Sequence, residues 1–355
     1  MVRAGIVRED NCEGHRVTSV SRVAIVGCGA VIEQNYLPVF HAAAGMRCEV
    51  LVDPDRARIE ELAARFAVPH VAASLDAVTA TIDGVIVAVP NDLHLPVATA
   101  AFDRGLDVLC EKPVARTGAE AAAMASAAVT RGRRLYAAMV CRRFPAVAEV
   151  VAGGQHRLVG ELQRVEASYG VPIDWPVRSA SFYDRARVGG GVLLDLGVHL
   201  IDALLYVLGD PASEVVGYAD DGDTGVETEA EARIVFCLAH RRVDGLVRTS
   251  RQRRLPNTIV LHGANGRLTI PLNALQPAIL SLANGDWPVT GRLPSAAPCF
   301  VAQLEDFGRA LRGETHALPS GDSQVSRHEL IDRLYAVRTP YVFPWDVPSA
   351  VAPLA

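Results

Sequence analysis

Residues 22–40 read RVAIVGCGAVIEQNYLPVF, and this stretch decides the fold. Val23 to Val26 form a short β-branched run, and a helical pattern begins just after Gly29. In Gly27-Cys28-Gly29-Ala30-Val31-Ile32, Gly27 permits the tight turn and Gly29 lets backbone approach a pyrophosphate seated on the helix N-terminus. Ile32 stands where a third glycine would stand, so its bulk is expected to push the helix away from the strand. Working outward, CEVLVDPD reads as a second strand ending at Asp53, where a carboxylate accepts hydrogen bonds from an adenosine ribose. A carboxylate there disfavours a 2′-phosphate, so NAD is the first expectation; Arg56, three residues on, leaves NADP open. DGVIVAVPN is a continuous apolar strand, as a sheet buried on both faces requires. DVLCEKP and RLYAAMVCRRF continue the series, with helical segments of 10–15 residues between strands. The alternation predicts βαβ units in a doubly wound parallel sheet over 21–144, a dinucleotide-binding domain of the Rossmann kind.

After Phe144 the pattern changes. Helix VLLDLGVHLIDALLYVLG is followed by ASEVVGYADD, EAEARIVFCLA, RVDGLVRTSRQ, NTIVLHGANG and GRLTIPLN, strands separated by turn residues. This predicts an α+β second domain over 145–320 with an open, mostly antiparallel sheet. Residues 1–20 read as a polar tail, and 321–355 as a helix and tail that pack back on the first domain.

Length and composition agree. The 355 residues suggest about two domains at ~150 residues each. A hydrophobic fraction of 50% buries a large core, and a formal net charge of −5 gives no basic excess for nucleic acid. No apolar run approaches the ~20 residues of a membrane span. The start of the chain carries Arg, Glu and Asp where a signal peptide needs an apolar region. Seven scattered cysteines without a CxxC read as reduced thiols of a cytoplasmic protein, and no His pair suggests a metal.

Among 35 basic residues, Lys112 is the sole lysine. An ammonium can give up its proton and a guanidinium cannot, which marks Lys112 as a proton-transfer candidate. It sits in Glu111-Lys112-Pro113, at the carboxyl end of a parallel strand, the edge where ligands bind in such sheets. Further on, Gly189-Gly190-Gly191 precedes Asp195 and His199, which on an α-helix share a face. A carboxylate there is expected to orient the imidazole and raise its basicity. The three glycines allow close approach of a ligand or of the other domain. Val89, Pro90, Asn91 and His94 follow the fourth strand and are expected on the nicotinamide side of the cofactor. Tyr36 is expected either near the cofactor or in packing. Arg142 and Arg143, at the hinge, are candidates for substrate contact or interdomain ion pairs. Trp175, Arg178 and Tyr183 lie in a loop before the triple glycine and suit a sugar ring. The basic run 241–254 reads as a solvated sheet face.

These three motifs together, G-x-G, E-K-P and G-G-G-x-x-x-D-x-x-x-H-x-x-D, resemble the glucose–fructose oxidoreductase/inositol dehydrogenase/rhizopine-catabolism (Gfo/Idh/MocA) family over roughly residues 21–340. The resemblance implies a Rossmann domain and a sheet-bearing second domain, with homodimers or homotetramers built on that sheet. It also implies that Lys112 lies near the nicotinamide and the reacting hydroxyl, with Asp195 and His199 on the opposite wall. Members oxidise a secondary alcohol of a sugar or cyclitol, or reduce the matching ketone. Either Lys112 or His199 can serve as the base; His199 is favoured, with Lys112 holding the oxygen. A ketosugar reductase acting on a nucleotide sugar or aminoglycoside-type ring, an NAD-assisted glycoside cleavage, and a cofactor-sensing scaffold are the alternatives.

Overall fold

The computed structural model describes residues 20–172, 183–222, 225–238 and 241–341. The first sheet is built from β1 (Ser21–Val26), β2 (Met46–Val52), β3 (His70–Ala72), β4 (Gly84–Val87), β5 (Asp107–Cys110) and β6 (Leu135–Ala137). Their order is β3-β2-β1-β4-β5-β6, and every pair is parallel. β4 and β5 are buried throughout, which explains their unbroken apolar sequence. The order reverses between β1 and β4, so a crevice opens at their carboxyl ends.

Ile32 does not stay clear of the sheet. Its side chain is fully buried with Val23, Ile25 and Leu51. The helix accommodates it by a change of type: Ile32–Tyr36 forms a wide π turn and Leu37–Ala42 a tight 3₁₀ turn with Pro38 near its start. The regular helices of this half are α1 (Arg56–Phe66), α2 (His94–Asp103) and α3 (Gly118–Thr130). Asp55 caps α1 by accepting from the Arg58 amide, and Thr117 caps α3 through the Glu120 amide.

After α4 (Pro145–Ala152) come β7 (Leu162–Gly170), the short α5 (Arg185–Val188), α6 (Val198–Leu208), β8 (Ala212–Asp220), β9 (Glu229–Leu238), β10 (Arg241–Ser250), β11 (Thr258–Gly263), β12 (Gly266–Pro271), β13 (Ile279–Leu282) and β14 (Gly285–Pro288). Then follow α7 (Ala297–Leu311), α8 (Gly321–Ala336) and β15 (Arg338–Pro340). The second sheet runs β14-β13-β12-β11-β7-β10-β9-β8-β15. It is mostly antiparallel; β7 with β10 and β8 with β15 are the parallel pairs. One face packs on α4 and α6, and the other carries charged residues in pairs, including Arg242 with Glu214 and Arg248 with Glu231.

The division of labour differs from the expected boundaries in one place. α7 lies within 145–320 yet packs on the first sheet: Leu304, Phe307 and Ala310 join Val23, Ile25 and Tyr36 in one apolar cluster. α8 packs against α3. The helical stretch Arg185–Leu208 is long and apolar enough to cross a membrane, but 78% of its apolar window is buried inside the protein.

Candidate active site

Two cavities follow the crevice and adjoin at Ala88 and Val89. The larger, of about 750 Å³, is lined by Gly27, Cys28, Gly29, Asp53, Asp55, Arg58, Val89 and Pro90 among others. Gly27 has φ +92°, and a Cβ there would lie 2.5 Å from the Ala88 carbonyl, so the turn requires glycine. A Cβ on Gly29 would meet nothing within 4 Å, which leaves this backbone open to a ligand. Asp53 is fixed at the end of β2: Oδ2 accepts from the Cys28 amide at 2.9 Å and Oδ1 from the Asp55 amide at 2.9 Å. A carboxylate has lone pairs left after those two bonds, so these residues fit an adenosine diphosphate with an unmodified ribose.

Not every predicted residue of this region lines a cavity. Arg56 turns to solvent and pairs with Glu60 one helical turn on, because it opens α1 on its outer face. Arg58 takes the inner position, its Nε donating to the Cys28 carbonyl. Ala30 and Ile32 are buried beneath the turn and line neither cavity; Val31 lines the second.

The second cavity, of about 410 Å³, is where the expected catalytic residues meet. Asn91, His94, Glu111, Lys112, Tyr169, His199 and Arg251 line it. Lys112 follows β5, after which the Lys112–Pro113 peptide bond is cis. Its Nζ donates to Asp195 Oδ1 at 2.8 Å and to the Asp195 carbonyl at 3.1 Å. Beneath it, the buried Glu111 accepts from the Tyr36 hydroxyl and from the Lys112 amide, and Tyr36 in turn accepts from Gln303 on α7 at 2.8 Å. Tyr36 is therefore a support under the lysine loop rather than a cofactor contact. Burial pushes both the Glu111 carboxyl and the Tyr36 hydroxyl above their usual ranges. His94 bridges two loops: Nδ1 faces the Pro113 carbonyl at 3.0 Å and Nε2 the Val89 carbonyl at 2.9 Å.

Asp195 does not do what its spacing predicts. It lies in a π turn, Leu193–Gly197, and His199 is in the first turn of α6. The wider turn alters the angular relation that an α-helical i, i+4 pair relies on. Both Asp195 oxygens are committed elsewhere, Oδ1 to Lys112 and Oδ2 to Arg251, whose Nε lies at 3.1 Å. His199 Nδ1 is buried without a hydrogen-bond partner, and the ring meets Tyr169 edge-on with centroids 6.5 Å apart. Burial raises the Asp195 carboxyl, but Lys112 and Arg251 outweigh it and hold the group well below the carboxylate range. Burial, followed by the charge of Lys112, lowers His199 to about 3, against the opposing pull of Asp195 and Asp202. At neutral pH the site thus holds an ionised Asp195 and a neutral His199.

The triple glycine is explained by protein rather than ligand. A Cβ on Gly189 would strike Arg116 of the first domain, one on Gly190 the Tyr335 hydroxyl, and one on Gly191 the Glu227 carbonyl at 2.1 Å. A small third cavity, of about 110 Å³, lies beside the main one and shares Asn91 and Arg251 with it; Asp195 and Tyr183 line it. Trp175 and Arg178 lie outside the described residues. Arg142 is not in the cleft: its guanidinium donates to both oxygens of the buried Asp202 at 2.7 and 2.6 Å and lies over Tyr206. Arg143 pairs with Asp306 on α7. Arg142 thus clamps the hinge to α6 of the second domain, whereas Arg143 ties the hinge to α7, which packs on the first sheet. Sequence reasoning missed Arg251, because it falls in a basic run of which the other members, such as Arg242, Arg248 and Arg253, pair on the sheet. Its position just past the end of β10 was the available signal.

Comparison with known proteins agrees with this fold. Residues 21–139 match the oxidoreductase family model with an NAD-binding Rossmann fold, and residues 146–269 match the GFO/IDH/MocA C-terminal domain. The chain belongs to the GFO/IDH/MocA oxidoreductase family. Among this family member's relatives, an uncharacterised oxidoreductase of Rhizobium meliloti is 29% identical over 61% of this chain and 64% of its own length. This chain therefore spans less than two thirds of that relative. A D-xylose 1-dehydrogenase (NADP(+)) of Haloferax volcanii is 28% identical over 88% of this chain and 95% of its own. Among solved structures, a 3-ketoreductase from Actinomadura kijaniata, in complex with NADP and TDP-benzene, superposes with a TM-score of 0.78 at 22% identity. The superposition covers 92% of this chain and all of that one.

Proposed function

We propose that this family member is an NAD-dependent dehydrogenase acting on one secondary hydroxyl of a sugar, aminosugar or cyclitol ring. The observation that carries the reading is that Lys112 and His199, from distant parts of the chain, line one cavity that adjoins the dinucleotide crevice. Bound in the crevice, NAD supplies the hydride acceptor. Gly27, Gly29 and the following helix would hold the pyrophosphate, Asp53 the ribose, and Val89, Pro90 and Asn91 the nicotinamide end. The Lys112 ammonium, kept in place by Asp195, donates a hydrogen bond to the reacting oxygen. His199, neutral at working pH, takes the hydroxyl proton as the carbonyl forms and the C–H hydride leaves for the cofactor. The reverse sequence reduces the ketone. The sugar named for the Haloferax volcanii relative supports the substrate class and not a particular sugar. Six described cysteines, all unpaired, accord with a cytoplasmic setting.

The test is incubation with NAD and a panel of cyclitols, aminosugars and glycosides while the NADH absorbance band is followed. NADH formation with at least one ring polyol is the expected result. A protein that binds NADH yet turns over no member of the panel in either direction defeats the reading. Fluorescence titration of both cofactors is expected to show at least about tenfold tighter binding of NADH than NADPH, roughly 1.4 kcal/mol. A clear NADPH preference overturns the role given to Asp53.

A further inference from the structure

We propose that Arg251 is a positioning residue that holds Asp195 on Lys112 and away from His199, leaving the imidazole free to take a proton. The inference rests on the roles proposed above for Lys112 and His199.

Asp195 has two partners competing for it in principle. One is His199, four residues on in the same helix; the other is Lys112, from the first domain. An isolated carboxylate near an imidazole hydrogen-bonds it and favours its charged form. Here that bond is absent. Oδ1 accepts from Lys112 Nζ at 2.8 Å, while Oδ2 accepts from Arg251 Nε at 3.1 Å and from its Nη2. The guanidinium fork thus fixes the second oxygen, and with it the plane of the carboxylate.

Arg251 is itself well placed to act as an anchor. It follows β10 directly, and its amide donates to the Thr228 carbonyl at 2.7 Å. Thr228 is held in turn by Asp221, to which its amide donates at 2.7 Å. The Arg251 side chain is 15% exposed, so the fork is packed rather than swinging in solvent. It lines both the main cavity and the small one beside it, and in the small one Asp195 lies with it in the wall.

Charge gives the arrangement a second effect. Lys112 and Asp195 alone sum to zero, and Arg251 restores a net positive charge beside the reacting oxygen. The groups that face His199 are Lys112 from the loop after β5, Asp195 from the π turn, Asp202 from α6, Arg251 from the end of β10, and the Tyr169 ring from β7. Asp202 is balanced by Arg142 and Arg327. Removing Arg251 therefore subtracts one cation and releases one carboxylate, and both changes favour a protonated His199.

The experiment compares the full-length protein with Arg251→Met and Arg251→Lys. NADH binding by fluorescence reports that each variant is folded and loaded. The ¹⁵N-labelled His199 imidazole is titrated by NMR, and kcat and KM are measured against pH on whichever panel compound turns over. In wild type the imidazole is expected to stay neutral to the acid limit of the fold. In Arg251→Met its midpoint is expected to rise by about one pH unit or more, with the acid limb of kcat moving the same way. Turnover is expected to fall at least about tenfold with a smaller change in KM, and Arg251→Lys to restore part of both. An unchanged midpoint and pH profile in a folded Arg251→Met protein overturns the proposal. If that variant fails to bind NADH, an unchanged His199 midpoint in Arg251→Gln overturns it instead. The NMR readout needs no turnover. A wild type inactive on the whole panel thus removes the dehydrogenase reading while the midpoint still decides the role of Arg251.

Discussion

Lys112 and His199 divide a proton-transfer task by charge. Lys112 is clamped to an ionised carboxylate, and His199 is kept neutral by burial and by the lysine's charge. An arginine in place of the lysine keeps the charge but brings a planar, larger head that no longer aims a compact ammonium at the reacting oxygen. Lys112→Arg is therefore expected to lose turnover by about a hundredfold or more while NADH still binds. Near-normal kcat in that variant contradicts the assignment. The neutral His199 also predicts a stability effect. Its folded pKa of about 3 lies below the ~6.5 of an unfolded histidine, so between those values the unfolded chain binds the extra proton. The contribution is complete above pH ~6.5 and is lost as the pH falls toward 3. Melting temperature is expected to drop on acidification from pH 7 to 4, and His199→Gln to make that drop shallower. An unaltered slope in the variant refutes the neutral, buried imidazole.

At the level of elements, two π turns set the site, one after the glycine loop and one around Asp195. Neither is legible in the sequence, since a π turn differs from an α turn by one residue of hydrogen-bond register and leaves apolar spacing nearly unchanged. That is why Ile32 reads as an obstruction and Asp195 as a partner of His199. The strands of the first sheet were legible, because burial on both faces forces continuous runs such as DGVIVAVPN. Lys112 was legible as well, through its rarity and its place at a strand's carboxyl end. Arg251 was not, because pairing with a residue 56 positions earlier leaves no local pattern. The triple glycine yields a direct test. A methyl on Gly191 meets the Glu227 carbonyl at 2.1 Å, a backbone atom that cannot step aside. Gly191→Ala is expected to cost about 1–3 kcal/mol in denaturant unfolding and to lower kcat by displacing the Asp195 turn. A variant as stable and as active as wild type removes the packing explanation.

Across the whole molecule, the two halves are joined by buried charge. Asp202 accepts from Arg142 at the hinge, and from Gln324 and Arg327 on α8 at 3.2 and 3.3 Å. Breaking such a network on one side leaves an underpaired carboxylate in the interior. Arg142→Ala is expected to destabilise at the lower end of about 3–5 kcal/mol, since Arg327 remains, and to broaden the calorimetric transition as the halves uncouple. A single sharp transition at the wild-type temperature would place Arg142 outside the clamp.

The placement of α7 has a consequence for how the protein is made. Residues 297–311 complete a layer over a sheet whose first strand begins at Ser21. During synthesis, the nucleotide-binding half therefore waits with one oily face uncovered until residues 297–311 have left the ribosome. Chaperones that read such faces have a long interval in which to engage it. A nonsense mutation upstream of Ala297 leaves an aggregation-prone fragment in place of a working half-enzyme.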